Sequence, residues 1–194
     1  MAEKDLKRER TENYFKEAAK KIITEKGYHE ISARNIAKEA GYSYATIYNY
    51  FRDIEELIFI CIEDFFSELY DFIKEKSSGT EGKEELYAFI YGYLEFFIKN
   101  PEKFKTIFMY NFEKLPLTFS GENYVPQAII YLTEKTELYL ENNGISKEEA
   151  YMRISILSNV LNSELMFYIG KRSSVSEKEF FSAIKKQIEY ILKK

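Results

Sequence analysis

Helix breakers are almost missing from this chain. Its 194 residues hold 8 Gly and 3 Pro, and Pro101, Pro116 and Pro126 share one window. Gly and Pro are the residues that cost a helix most, so long stretches without them leave helix as the default. Apolar residues recur three and four apart through those stretches, and none alternates with the period of a strand. The fold class read from this pattern is all-α, with about nine helices at 5–26, 33–40, 44–50, 53–76, 83–99, 102–112, 126–141, 146–169 and 176–192. In the first, Tyr14, Phe15, Ala18, Ala19, Ile22 and Ile23 make one apolar stripe. Gly27 suits its C-cap, and Ser32, Ser43 and Asp53 suit the N-caps of the next three. Leu115 to Pro126 reads as irregular.

Counts of reactive residues narrow the function. There is one Cys (Cys61) and one His (His29), too few for a thiol–imidazole zinc site, which takes four ligands. Any Ser-His-Asp or Cys-His chemistry would have to use His29. No nucleophile motif, paired carboxylates or Gly-rich phosphate loop is present, so the chain reads as a non-enzyme with no cofactor and no metal. Cys61 falls on an apolar stripe and reads as a core thiol. The longest apolar run, Leu86 to Ile98, is too short for a membrane span of about 20 residues, and the chain reads as cytoplasmic with no membrane partner. The net charge of −4 is uneven: residues 1–52 carry +3 and residues 53–194 carry −7. A basic head on an acidic body suits a protein that meets a polyanion with one end. Lys4, Lys7, Arg8 and Arg10 alternate with acids and read as a solvated face.

The informative segment is ISARNIAKEAGYSYATIYNYFRDIEEL, residues 31–57. It reads as a short helix, a tight turn at Gly41, a second short helix and a capped third. Ile36, Ala37 and Ala40 face inward on the first. Ile47 and Phe51, four apart, plug the same side of the core. The outward positions of the second helix are then hydroxyls, an amide and a methyl, where an ordinary solvated face has Lys and Glu. That is a helix-turn-helix whose second helix enters a major groove of double-stranded DNA. Ser43, Thr46, Tyr48 and Tyr50 can donate to phosphates, with Ser32 and Arg34 beside them. Tyr44, Ala45 and Asn49 are left for base edges, Asn for adenine and Ala for a thymine methyl.

With these residues on the page, the segment resembles the DNA-binding domain of the TetR family of bacterial transcriptional regulators. The matching residues are Ile36-Ala37-Lys38-Glu39-Ala40-Gly41, Ser43, Thr46-Ile47-Tyr48, Tyr50-Phe51 and Glu55-Glu56-Leu57, over about residues 11–60. Two positions depart from the usual pattern: Ala45 stands where Gly is common, and Ile54 where a phosphate-contacting Lys is common, with Arg52 as a substitute. The resemblance implies a DNA-binding domain at 1–52 and a helical effector-binding and dimerisation domain at 53–194. It implies a ligand-responsive regulator, a repressor released from a palindromic operator by a small hydrophobic or aromatic effector. The alternative is a helical small-molecule-binding protein or enzyme without DNA binding.

Tyr and Phe supply 17% of the chain, and eleven aromatics lie between Tyr87 and Phe119. They suit either a dense core or an apolar pocket. The resemblance favours a pocket, with Tyr93, Phe96, Phe97, Phe104, Phe108 and Phe112 as its candidates. Glu95 reads as the wet edge of its helix. The last two helices carry apolar stripes that suit the protomer core or a partner. The resemblance implies a homodimer through Leu157, Leu161, Leu165, Ile184 and Ile188, with Ser155, Ser158, Asn159 and Asn162 setting register.

Overall fold

The computed structural model describes residues 2–113, 125–172 and 174–193. Its helices are α1 (Ala2–Lys26), α2 (Ala33–Ala40), α3 (Tyr44–Ile47), α4 (Ile54–Lys76), α5 (Gly82–Lys99), α6 (Pro101–Met109), α7 (Gln127–Asn142), α8 (Lys147–Ile169) and α9 (Glu177–Leu192), with a 3₁₀ turn at Tyr28–Glu30. Among the described residues there is no strand and no helix long and apolar enough to cross a membrane. The segment expected to be irregular, 115–126, lies mostly outside the described residues. By packing the chain divides into Met1–Glu68 with Asn100–Tyr124, and Leu69–Lys99 with Val125–Lys194. This division falls inside α4, whereas the functional cut expected from the sequence follows residue 52.

In the first unit, Phe15, Ala18, Ala19, Ile22 and Ile23 of α1 meet Ile36 and Ala37 of α2, Ile47 of α3, Phe51, and Leu57, Cys61 and Phe65 of α4 in one core. Tyr14, expected in the α1 stripe, is 58% exposed. The buried arc is centred on Phe15 and Ile22, seven apart, and one step of about 100° carries Tyr14 past its edge. α6 belongs to this unit. Its Lys103 is buried and paired with Glu68 of α4, while Lys20 of α1 lies 3.3 Å from Asp64 and 3.6 Å from Glu68. α6 ends at Met109, three residues before the helix expected from periodicity. Tyr110 turns extended, and its ring packs against Tyr28 and Phe112, contacts that continued helix would not make.

Cys61 is fully buried, with its Sγ 3.9 Å from the Lys16 carbonyl. Burial pushes its thiol up to about 12, and only the thiolate is nucleophilic. At pH 8 a thiol reagent is therefore expected to label Cys61 only as fast as this core opens. Labelling at the rate of a free cysteine would show that α1 and α4 are not packed as described.

In the second unit, α5, α7, α8 and α9 bury Leu86, Phe89, Ile90, Leu94, Leu140, Leu157, Leu161, Leu165, Phe180, Ile184 and Ile188. Ser146 caps α8, and Ser176 and Glu179 close a reciprocal capping box on α9. Glu95 bridges Lys99 at 2.6 Å and Lys76 at 2.9 Å. Those lysines hold its carboxyl below the usual value, as a group on a helix's wet edge.

Candidate nucleic-acid interface

The α2–turn–α3 segment is built by local rules. Ser32 Oγ accepts from the Asn35 N–H at 3.2 Å and starts α2. Gly41 ends it at φ 77°, ψ 28°, a left-handed conformation that Gly adopts without strain. The Tyr42 N–H then reaches back to the Ala37 carbonyl at 2.8 Å, satisfying an orphan acceptor. Ile47 and Phe51 are buried and fix which side of the second helix faces out. α3 is shorter than the helix expected over 44–50. After Ile47 the backbone tightens, with Asn49 N–H to Thr46 at 3.1 Å and Tyr50 N–H to Ile47 at 2.9 Å, the i→i+3 pattern common at helix ends.

On the outward side, Tyr44 is 61% and Tyr48 51% exposed, and Ser43, Ala45 and Asn49 are exposed with them. Thr46 is half-buried, its hydroxyl 2.8 Å from that of Ser43. Arg34 is exposed on α2, and Ser32 is half-buried with its oxygen serving as the cap. Tyr50 is shared with the core. It is half-buried, 5.8 Å from the Phe15 ring, and the Arg8 guanidinium lies 5.2 Å over its face. The nine candidates thus occupy one continuous segment, seven of them on or beside α3.

Asp53 Oδ1 accepts from the Glu56 N–H at 2.8 Å, and Glu56 Oε2 accepts from the Arg52 N–H at 2.6 Å. Burial opposes the Asp53 charge, yet the Glu56 N–H and Arg52 hold its carboxyl below the usual range. Arg52, expected to stand in for the missing Lys, is exposed and 3.0 Å from Asp53. Ile54 packs against the core instead.

The six aromatic candidates are divided. Tyr93, Phe96 and Phe97 lie on α5 in the second unit, with Tyr93–Phe97 centroids 5.0 Å apart and Phe96–Phe97 5.3 Å. Tyr93 is buried, and its hydroxyl donates to Asn162 Oδ1 of α8 at 2.5 Å. Burial raises its pKa, which keeps the phenol a donor. Phe104 and Phe108 of α6 pack at 4.8 Å in the first unit, with Phe112 against Phe59 at 6.2 Å. The five residues expected at a dimer interface lie in the core of the single protomer. Leu157, Leu161, Leu165, Ile184 and Ile188 are all buried within the protomer, because α8 and α9 turn their apolar stripes toward their own unit. The same helices leave Tyr151, Met152, Ile156, Met166, Phe167 and Tyr190 exposed. Periodicity could not find these, since they sit among Ser and Asn on the face that reads as polar.

Comparison with known proteins places this geometry. The family model of bacterial regulatory proteins of the tetR family matches residues 17–59. A fatty acid metabolism regulator protein of Bacillus subtilis is 35% identical over 69 residues, an alignment covering 34% of this chain and 36% of that protein. Among solved structures, the fatty acid degradation regulator FadR from Bacillus halodurans has a TM-score of 0.68 at 18% identity, over 93% of this chain and 97% of that one. A TetR-like transcriptional regulator from Rhodococcus sp. RHA1 has 0.64 at 20%, over 94% and 93%. A TetR variant from Acinetobacter baumannii in complex with minocycline has 0.64 at 10%, over 92% of each chain. These structures share the fold over nearly the whole chain. Residues 17–59, which hold the helix-turn-helix, thus match the tetR family of bacterial regulatory proteins, and the fold of the chain is that of these solved structures.

Proposed function

We propose that this chain is a ligand-released repressor: a homodimer that grips a palindromic duplex operator with its 1–52 segment and lets go when a small apolar effector binds its 53–194 segment. The family model that residues 17–59 match is one of bacterial regulatory proteins. The observation that carries the reading is the α3 face, where Tyr44, Ala45, Tyr48 and Asn49 stand exposed while Ile47 and Phe51 anchor the other side. Tyr44, Ala45 and Asn49 meet base edges. Ser43, Thr46, Tyr48 and Tyr50 hold phosphates, with Ser32 and Arg34 alongside. Two such faces in successive major grooves stand about 34–36 Å apart.

A second copy fits the exposed apolar residues of α8 and α9, Tyr151, Met152, Ile156 and Tyr190 among them. Candidate effector contacts are Tyr93, Phe96 and Phe97, with Phe104, Phe108 and Phe112. The names of the Bacillus relatives make fatty-acyl compounds the first effectors to test. Release requires differential affinity: moving a population from 1:99 to 99:1 takes about 5.5 kcal/mol in favour of the non-binding state.

The test is selection from a random duplex library, with and without acyl compounds. A palindromic consensus is expected, lost when the effector is added. On that duplex, Tyr48→Phe removes one phosphate donor and Asn49→Ala one base contact. Each is expected to weaken binding by about tenfold. If neither weakens it twofold, α3 does not dock as described.

A further inference from the structure

The first unit exposes more tyrosine than its helix-turn-helix requires. Tyr14 of α1 is 58% exposed and Tyr42, in the turn, 37%. Their ring centroids are 6.5 Å apart, tilted by 34°. The Tyr42 ring rests 5.2 Å from that of Phe15, which is fully buried, so the pair is seated on the core. Among the described residues neither hydroxyl is hydrogen-bonded to a protein group. Phenylalanine would supply the same packing, and the phenol adds only an outward donor.

The charges beside the pair favour an anion. Arg10, one turn before Tyr14 on the same face, is exposed. Glu17, one turn after it, lies 3.4 Å from the Lys20 ammonium, and Glu39 of α2 is paired with Lys21. Glu17 and Glu39 thus each stand beside a lysine, although Lys20 is shared with Asp64 and Glu68. Tyr42 is also joined through one peptide bond to Ser43, at the start of the face proposed to enter the groove.

We propose that Tyr14 and Tyr42, with Arg10, form a second phosphate-binding ledge that holds the duplex backbone beside the groove read by α3. This rests on the DNA-binding reading above. Tyr hydroxyls and Arg are common donors to phosphate oxygens, and such contacts set register without reading sequence. The ledge therefore adds affinity equally to operator and unrelated DNA.

The experiment compares the full chain with Tyr14→Phe, Tyr42→Phe, their double variant and Arg10→Ala. Each is bound to the duplex enriched from a random library and to an unrelated duplex of equal length, over a salt series. Both Phe variants keep the ring, so thermal midpoints are expected to hold. Each is expected to weaken both duplexes by the same factor, about three- to tenfold, with the consensus unchanged. Arg10→Ala is expected to lower the salt slope by about one. The ledge is refuted if the double variant binds both duplexes within twofold of the wild type while Tyr48→Phe still weakens binding. That outcome leaves the groove contact standing and marks the tyrosine pair as a surface for something other than DNA. If the wild-type chain binds DNA no better than an unrelated acidic protein, the DNA-binding reading fails and the ledge with it.

Discussion

Replacing Phe15 by alanine is expected to destabilise the first unit by about 3–5 kcal/mol, the usual cost of emptying a buried aromatic site. Phe15 is fully buried, and three rings lean on it: Tyr42 at 5.2 Å, Tyr50 at 5.8 Å and Phe51 at 6.3 Å, the last edge-on. Aromatic pairs of this geometry contribute about 0.5–1.5 kcal/mol each beyond their burial. Those three rings bracket α3, one before it and two after it. The cavity left by Phe15→Ala therefore opens under both ends of α3, and the DNA binding proposed for that segment should fall with stability. Circular dichroism at 222 nm should show the melting midpoint lowered by roughly 10 °C. Phe15→Leu, which refills part of the volume, should recover much of the loss. A shift below about 1 kcal/mol for the alanine variant would mean that Phe15 is not the support on which α1 and α3 rest.

The second large effect is expected at Ile156. It is 46% exposed in the protomer, so changing it costs the protomer's own core little. With Val160, Gln187 and Tyr190 it lines an open groove of about 910 Å³ between α8 and α9 that also holds Arg153 and Lys186. In a two-fold interface every substitution appears twice. Ile156→Lys would place two more cations beside those already there, desolvated and facing like charge. The chain should sediment as a monomer at micromolar concentration. Operator affinity should drop by about 100-fold or more, because two linked half-sites bind far more tightly than one. A dimer that survives Ile156→Lys with its operator affinity intact would move the interface off this groove. Leu161→Ala is the informative contrast: Leu161 is buried, so it should lower the melting midpoint while leaving the dimer assembled.

Much of the site was legible because it is local. Ser32, Gly41 and Asp53 act through bonds to residues within five positions of themselves, and the i, i+4 pair Ile47 and Phe51 fixes the outward face of α3 by geometry. Tyr50 was only half legible. Its spacing puts it outward, but Phe15, thirty-five residues away, draws its ring partly into the core. Tyr14 and Tyr42 were missed as a pair because nothing in either one's neighbourhood announces the other.

What the sequence determined by itself was helix everywhere and one helix-turn-helix, since breaker content, caps and 3.6-residue periodicity all act over a single turn. What only the tertiary structure decided was which neighbour each apolar stripe meets. Leu157, Leu161 and Leu165 would look the same facing a partner or facing their own protomer, because burial depends on which helices arrive from elsewhere in the chain to cover them. Here those stripes are covered from within, and the face of α8 and α9 that stays exposed is the one that reads as polar.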